Sequence, residues 1–241
     1  MRIDTVLVTL GLIESRTKAQ LALTKKLVTY NGVIITKASF DVEDETLVKL
    51  SAPPLRYVSR GGDKLKLAID TFGLNFENKT VLDVGASTGG FTDCALQHGA
   101  KHVTCVDVGC NQLHNTIKNN NKVTWHENQD IRTFETKTKF DYVVVDVSFI
   151  NIEAIVEALA SFVHEKTELI ILVKPQFEQA KRIKFGNGII KDEKVQRFSL
   201  DNVKKILFKN NLRSLVSVST EGLSEDKERN VEFVLRVERI M

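Results

Sequence analysis

The feature that most constrains the fold is an alternation, from Lys64 onward, between short apolar runs and segments with helical patterns. The apolar runs are TVLDV, HVTCVDV, KVTWHE, DYVVVDV and ELIILV. Apolar runs of this kind, with few polar interruptions, are typical of strands that are buried on both faces. Parallel sheets meet this condition because helices cover both of their faces. The alternation therefore predicts an α/β fold around a parallel sheet.

Two further runs near the end of the chain, SLVSVS and VEFVLRVE, complete the predicted sheet. A long helical pattern, DEKVQRFSLDNVKKILFKN, precedes them, but only a polar segment separates the two runs. Parallel neighbours need a long crossover that usually contains a helix, whereas antiparallel neighbours do not. We therefore expect an antiparallel pair at the end of a seven-stranded, mostly parallel sheet, with the last strand antiparallel.

The first 50 residues predict a separate, small α+β module. Asp4 and Ser15 are expected to cap two short helices, the first of which has Val6, Leu7 and Leu10 on one face. After the helices, Asn31-Gly32 lies between the β-prone runs LVTY and VIIT, a pattern typical of a type I′ hairpin. The run TLVKL supplies a further strand.

Chain length and local composition divide the chain near residue 55. A length of 241 residues suits one full-sized domain with a small appendage better than two equal domains. The segment SAPPLRYVSR holds two of the three prolines and shows little periodicity. We therefore predict a small domain over residues 1–50, a linker over 51–60 and the α/β domain over 61–241.

The positive charge of the chain is concentrated at its N-terminal end. The net charge is only +3, but the first 40 residues carry six Lys and Arg against two Asp and Glu, a local +4 that leaves −1 for the rest. A basic module beside a nearly neutral body is expected of a protein that binds nucleic acid. The residues predicted to contact RNA are Arg16, Lys18, Lys25, Lys26 and Arg60, the last in a mobile hinge with Gly61 and Gly62.

Cysteine usage and hydropathy favour a cytoplasmic protein. Cys94, Cys105 and Cys110 show none of the CxxC spacings that bind zinc or exchange disulfides, so we expect reduced thiols and no metal. The longest apolar runs are far shorter than the roughly 20 residues that cross a bilayer. Neither a signal peptide nor a membrane span is predicted.

A glycine-rich turn, VLDVGASTGGFTD at residues 81–93, follows the first strand of the predicted sheet. Ligands of open parallel sheets bind beyond the carboxyl ends of the strands, where glycines let a ligand approach the backbone. The glycines lack the GxGxxG spacing of dinucleotide-binding folds. Asp83 precedes them, and Asp107 ends the second strand, in position to accept hydrogen bonds from a ribose diol. A tight turn without a ligand is the structural alternative.

The motif Asp-x-Gly-x-Ser-x-Gly-Gly, with Asp107 placed 24 residues after its Asp, resembles that of Rossmann-like class I methyltransferases. The resemblance implies S-adenosylmethionine as the cofactor. It also places Asp130, in NQDIR at the end of the third strand, near the adenine. The residues implied in cofactor binding are Asp83, Gly85, Ser87, Gly89, Gly90, Phe91, Asp107 and Asp130.

The fourth predicted strand ends in DVSF, which bears on the atom that is methylated. Methyltransferases that act on exocyclic amines usually carry an Asn/Asp-Pro-Pro-aromatic turn here, and the sequence lacks this turn. Carbon-5 methylation of pyrimidines needs a cysteine nucleophile, and the sequence has no cysteine after Cys110. Four charged residues remain as candidates near the strand ends: Lys64, Asp146, Lys174 and Glu232.

The order Lys, Asp, Lys, Glu of these four residues resembles the tetrad of FtsJ-type ribose 2′-O-methyltransferases. The stretches YVSRGGDKL, VLDVGASTGGFTDCAL, VVVDVSFI and LVKPQFE, with the basic SRTKAQ helix, are similar to the TlyA family. That family carries two names, haemolysin and ribosomal RNA 2′-O-methyltransferase. Its N-terminal module resembles the small RNA-binding domain first recognised in a ribosomal protein of the small subunit. The resemblance implies ribosomal RNA within a ribosomal subunit as the partner and a cytidine ribose as the target.

The residue types of the tetrad suit transfer to a hydroxyl. A ribose hydroxyl is a poor nucleophile and must lose its proton as the methyl group transfers in line. Lys174 is the candidate general base, provided that burial and the Lys64 charge favour its neutral amine. Asp146 would orient Lys174 or the substrate, while Lys64 and Glu232 would position the ribose. On sequence alone, Lys64 also fits a solvated helix start and Glu232 a surface strand residue.

Three functions stay open at this point. The leading hypothesis is a ribosomal RNA 2′-O-methyltransferase, because the glycine loop and the tetrad are both intact. The second is an RNA-binding assembly factor with an inactive methyltransferase fold. The third is a membrane-active haemolysin, which the lack of a predicted span or basic amphipathic helix disfavours.

Overall fold

A computed structural model describes residues 1–178, 189–223 and 229–240. The chain divides into two compact units, Met1–Arg56 and Tyr57–Met241. This division falls inside the segment 51–60. Tyr57 belongs to the hydrophobic core of the second unit, where it is only 3% exposed.

The first unit consists of two helices packed on a three-stranded sheet. Its elements are α1 (Ile3–Thr9), α2 (Arg16–Thr24), β1 (Val28–Tyr30), β2 (Val33–Ile34) and β3 (Val48–Leu50). The strand order is β2-β1-β3, and both pairs are antiparallel. Asn31 and Gly32 have φ values of 48° and 78°, which confirms the predicted type I′ turn between β1 and β2.

The helix caps of the first unit were only partly predicted. The Ser15 hydroxyl accepts a main-chain N–H from the first turn of α2, so the predicted cap is confirmed. The predicted cap at Asp4 is wrong. Arg2 is the N-cap of α1, and Asp4 lies inside the first turn, fully buried, where it accepts hydrogen bonds from Arg2 and Arg16. Two guanidinium groups are stronger partners for a buried carboxylate than helix N–H groups. Leu10 is the C-cap of α1 and is 41% exposed, so it does not share the buried face of Val6 and Leu7 as expected.

The second unit is a three-layer α/β/α fold. Its elements are α3 (Gly61–Phe72), β4 (Thr80–Val84), α4 (Gly90–Gln97), β5 (His102–Val106), α5 (Asn115–Lys118), β6 (Val123–His126), β7 (Tyr142–Val145), α6 (Val156–Phe162), β8 (Glu168–Val173), α7 (Glu193–Lys209), β9 (Leu212–Ser219) and β10 (Phe233–Arg239). The strand order is β6-β5-β4-β7-β8-β10-β9. Strands β4 to β8 are parallel to one another, and β10 runs antiparallel to β8 and β9. The predicted seven-stranded sheet with an antiparallel last strand is confirmed.

The central strand β7 is apolar throughout because helices cover both faces of the sheet. In β7, Val143 and Val145 belong to the core that includes residues of α6 and α7. Tyr142 and Val144 belong to the core formed with α3 and α4. Successive side chains of a strand point to opposite faces, so alternate residues enter two different cores and none of the four faces solvent.

Gly61 and Gly62 form the first turn of α3, so the predicted mobile hinge is wrong. A Cβ atom on Gly62 would lie 2.4 Å from the ring of Tyr57. The absence of a side chain at Gly62 therefore allows Tyr57 to pack across the start of the helix. Close packing, and not flexibility, requires glycine at this position.

Replacing Asp4 by Asn should destabilise α1 and α2 at neutral pH. Arg2 and Arg16 hold the pKa of the Asp4 carboxyl far below its ordinary value, despite its burial. The ionised carboxylate therefore contributes stability above about pH 4, and this contribution is lost as the pH falls. We expect the free energy of opening, measured by amide hydrogen exchange in α1, to fall by about 1–3 kcal/mol.

Asp41→Asn is a matched control for this experiment. Asp41 is paired with the N-terminal ammonium but is largely exposed. The control should therefore have a much smaller effect than Asp4→Asn, because water screens an exposed ion pair. Equal effects of the two variants would contradict the role given to Asp4.

Candidate active site

Four loops meet at the carboxyl edge of the sheet, because β5, β4, β7 and β8 are parallel neighbours. A cavity of about 310 Å³ lies at this edge. Its lining includes Lys64, Gly85, Ser87, Asp146 and Lys174. The cavity therefore brings together residues predicted separately as cofactor ligands and as catalytic groups, whereas Asp107 and Glu232 are not among its lining residues.

The loop between β4 and α4 has a conformation that requires glycine at Gly85. Gly85 has a φ of 81°, and a Cβ atom there would lie 2.7 Å from the main-chain oxygen of Asp146. At the start of α4, a Cβ atom on Gly90 would lie 2.3 Å from Ser59 Oγ. Phe91 follows and lines the cavity, whereas Gly89, the N-cap of α4, is not among the lining residues. The loop thus packs directly against the segment after β7 and the segment before α3.

Asp107 directly follows β5, and two main-chain amides hold its carboxylate. The N–H of Ser87 donates to Oδ2 and that of Gly109 donates to Oδ1, both at 2.7 Å. Each carboxylate oxygen has a further lone pair, so the fixed group can still accept hydrogen bonds from a diol. Val108, which the sequence analysis missed, is 70% exposed beside it. The sequence feature that could have indicated Val108 is its position as an apolar residue immediately after a strand-end acid.

Asp83 lies behind the glycine loop and is fully buried. Its Oδ2 accepts a hydrogen bond from Thr92 Oγ1 of α4 at 2.6 Å. Burial raises the pKa of Asp83 to about 7, although the hydrogen bond from Thr92 opposes this shift. Its Oδ1 has no hydrogen-bond partner among the described residues. Asp83 therefore connects β4 to α4 and does not line the cavity.

Asp130 is farther from its strand than the sequence analysis placed it. β6 ends at His126, and Asp130 caps a short 3-10 helix, Ile131–Thr133, by accepting the Arg132 N–H at 2.9 Å. The Arg132 guanidinium also donates to both carboxylate oxygens and lowers the pKa of Asp130. Asp130 is not among the residues that line the cavity.

The four tetrad residues form a continuous set of ion pairs. Lys174 Nζ lies 2.6 Å from Asp146 Oδ1, and Lys64 Nζ lies 2.6 Å from Glu232 Oε2 and 3.9 Å from Asp146 Oδ2. Lys174 is only 7% exposed and also donates a hydrogen bond to Ser148 Oγ at 2.8 Å. The side chains of Lys64 and Glu232 are 25% and 12% exposed. Neither therefore fits the solvated alternative.

A phenylalanine that the sequence analysis missed lies close to Lys174. Phe149 is 87% exposed and has a φ of 65°, a region that bulky residues rarely adopt. Its ring centroid lies 5.1 Å from that of Phe177, and Lys174 Nζ lies 5.9 Å from the Phe177 ring. The two rings present an apolar surface beside the tetrad. The sequence feature that could have indicated Phe149 is its position as the aromatic residue of DVSF.

The basic residues predicted to bind RNA lie in different settings. Arg16 and Lys18 form ion pairs with acidic residues of the first unit. Lys25 donates a hydrogen bond to a main-chain oxygen, and Lys26 is exposed. Arg60 belongs to the second unit, where it lines the cavity. The other four residues belong to the first unit.

The described part of the chain lacks both a membrane-spanning helix and a metal site. Within it, no helix is both long and apolar enough to cross a membrane. Nor does it contain a group of three or more His, Cys, Asp or Glu side chains arranged to hold a metal ion. Cys94 and Cys105 are buried, and Cys110 is exposed.

The sheet order, the glycine loop and the strand-end acid define a Rossmann-like methyltransferase. A family described as FtsJ-like methyltransferase matches residues 57–238, and the S4 domain matches residues 1–48. The 23S rRNA (cytidine-2′-O)-methyltransferase TlyA of Campylobacter jejuni is 36% identical over 91% of this chain and 92% of its own. Hemolysin A of Brachyspira hyodysenteriae is 38% identical over 86% of this chain and 88% of its own.

A solved structure leads to the same family. A Streptococcus thermophilus protein described as a hemolysin matches with a TM-score of 0.74 and 34% identity, over 100% of this chain and 88% of its own. The chain belongs to the TlyA family of FtsJ-like methyltransferases, with an S4 domain preceding the methyltransferase domain.

Replacing Gly85 by Ala should weaken the binding of S-adenosylmethionine, the methyl donor expected for this family, by roughly tenfold or more. The added Cβ would overlap the main-chain oxygen of Asp146, and a φ of 81° is unfavourable for alanine. Calorimetric titration of the cofactor measures the effect. Gly73→Ala is the matched control, since Gly73 has a φ of 64° but no atom within 4 Å of the added Cβ. Normal affinity in Gly85→Ala would contradict a cofactor-binding role for the loop.

Proposed function

We propose that this chain transfers the methyl group of S-adenosylmethionine to the 2′-hydroxyl of a cytidine ribose in ribosomal RNA. The observation that carries the proposal is the set of ion pairs that joins Lys64, Asp146, Lys174 and Glu232 beside the glycine loop. The relative named as a 23S rRNA (cytidine-2′-O)-methyltransferase supports the substrate, because it matches almost the whole of both chains. The S4 domain supports an RNA partner.

The strand-end residues fit S-adenosylmethionine, which would supply a methyl group made electrophilic by a positively charged sulfur. Asp107 would accept hydrogen bonds from the ribose hydroxyls of the cofactor, because two amides already fix its carboxylate. Val108 would contact the adenine. Asp83 would support the glycine loop from behind, through its bond to Thr92. Asp130 supports this arrangement least, because its carboxylate is engaged by Arg132.

Lys174 is the proposed general base. A lysine acts as a base only as the neutral amine, so Lys174 must release its proton before it can accept one from the 2′-hydroxyl. Asp146 and Ser148 hold Nζ in one orientation, at 2.6 and 2.8 Å. Lys64 and Glu232 form their own ion pair next to Asp146 and would position the ribose. The proton of the hydroxyl would pass to Nζ as the oxygen becomes a nucleophile.

Phe149 and Phe177 are the proposed contact for the target base. A strained backbone conformation persists only where the surrounding structure determines it, and such residues cluster at functional sites. Proteins that recognise unpaired RNA bases commonly stack them on aromatic side chains. Stacking on Phe149, which is 87% exposed, would hold the base while its ribose reaches Lys174.

The direct test is transfer of labelled methyl groups from S-adenosylmethionine to purified ribosomal subunits, assayed separately. Mapping of ribose methylation in the labelled RNA then identifies the acceptor atom. We expect label on the 2′-oxygen of a cytidine. Label on a base carbon or nitrogen would overturn the ribose assignment, and label on no RNA would favour the assembly-factor alternative.

Lys174→Ala should reduce methyl transfer by roughly a hundredfold or more, the usual contribution of a general base, and leave cofactor affinity near normal. Lys174→Arg keeps a positive charge but cannot supply a neutral base, because a guanidinium does not lose its proton in proteins. It should therefore be as inactive as the alanine variant. Lys66→Ala is the control, since Lys66 lies on α3 close to Lys64 but pairs with Asp70. Retained turnover in Lys174→Arg would remove Lys174 from the role of base.

Replacing Lys25 and Lys26 together by Ala should weaken binding to ribosomal RNA. Each lost phosphate contact should reduce the slope of log affinity against log salt concentration by roughly 0.7–0.9. Filter binding over a salt series measures both quantities. Lys101→Ala, an exposed lysine just before β5 in the second unit, is the control. An unchanged affinity and slope would assign the RNA contacts to other residues.

A further inference from the structure

Two segments leave the carboxyl edge of the sheet side by side: residues 146–152 after β7, here the β7 segment, and residues 174–178 after β8, the β8 segment. Within the active site they are connected at three points. These are the Lys174–Asp146 ion pair, the hydrogen bond from Lys174 to Ser148 Oγ and the contact between the rings of Phe149 and Phe177. The catalytic geometry proposed above therefore depends on how these two segments lie against each other.

Glu178 makes a fourth connection, outside the tetrad. Both of its carboxylate oxygens accept the main-chain N–H of Ile152, at 3.2 and 3.3 Å. Glu178 is 9% exposed and Ile152 is 1% exposed, so water competes little for this bond. Burial raises the pKa of Glu178 to about 7, the charge of Glu153 adds to the rise and the Ile152 N–H opposes it. A charged group is costly to bury, so its placement here needs a reason.

The bond to Ile152 anchors the far end of the β7 segment. Its near end is anchored by the sheet, where the Asp146 N–H donates to the Val84 main-chain oxygen at 3.0 Å. Between the two anchors lies Phe149, with its φ of 65°. A residue in this conformation relaxes unless the chain on both sides is held. Glu178 supplies the anchor on the side away from the sheet.

We propose that Glu178 is a positioning residue, which keeps Ser148 and Phe149 beside Lys174 by accepting the Ile152 N–H. The proposal rests on the proposed function, in which Phe149 holds the target base and Lys174 accepts the proton. Without this anchor, the β7 segment relaxes, so kcat falls and KM for RNA rises. Cofactor affinity stays unchanged, because Asp146, the residue of the β7 segment against which Gly85 packs, is held to β4 by its own N–H.

Two substitutions of Glu178 distinguish the effect of side-chain length from the effect of charge. Glu178→Gln loses the charge but keeps a carbonyl oxygen at the same distance along the side chain. Glu178→Asp keeps the charge but is one methylene shorter, so its oxygens no longer reach the Ile152 N–H. We expect Glu178→Gln to keep kcat/KM within about twofold of wild type, and Glu178→Asp to lose roughly ten- to a hundredfold. Glu153→Gln, at an exposed carboxylate next to Ile152, is the matched control and should be unchanged.

Hydrogen exchange of the peptide that contains Ile152, measured by mass spectrometry on the full chain, gives a readout that needs no activity. The Ile152 amide should exchange faster in Glu178→Asp and at the wild-type rate in Glu178→Gln. If wild type methylates no RNA, the proposed function fails. The exchange data still show whether Glu178 holds the Ile152 N–H. Wild-type exchange and activity in Glu178→Asp, or loss of both in Glu178→Gln, would overturn the inference. If Glu178→Asp does not fold, Glu178→Gln decides alone: retained protection at Ile152 supports the anchor, and lost protection overturns it.

Discussion

Asp146 joins the parts of the site that come from distant positions in the sequence. Its Oδ1 pairs with Lys174 after β8, and its Oδ2 lies 3.9 Å from Lys64 at the start of α3. Its main-chain oxygen is the atom against which Gly85 fits without a side chain. A shift of this one residue would therefore disturb the ion pairs and the cofactor loop together. This shared dependence couples the proposed cofactor site to the proposed base.

The charges around Asp146 are better explained by chemistry than by stability. Burying an ion pair costs solvation free energy, and apolar residues of similar size often stabilise a fold as well or better. The strand that leads into Asp146, β7, is apolar throughout, and the four paired charges of the site lie beyond the strand ends or beside them. Glu178 follows the same logic, since a buried carboxylate that bonds to a main-chain amide holds a loop in place instead of strengthening the core.

Much of the fold could be predicted because the relevant signals are local. The apolar runs matched the strands, the Asn31-Gly32 pair matched the hairpin turn, and Ser15 matched a helix cap. The predictions that were wrong concern residues whose setting depends on a partner that the local sequence does not show. Asp4 is held by two arginines instead of capping a helix, and Gly62 makes room for Tyr57 instead of forming a hinge.

The sequence by itself determined the alternation of strands and helices, the glycine loop after the first strand of the sheet and the identity of the four charged residues. These features depend on residue periodicity and backbone preference, which act over a few neighbouring positions. Only the tertiary structure decided that Asp83 lies behind the loop and that Asp130 is engaged by Arg132. It also decided that Phe149 contacts Phe177 and that Glu178 accepts the Ile152 N–H. The reason is physical: β7 lies between β4 and β8 through crossover connections, and contacts between residues so far apart in sequence depend on that arrangement.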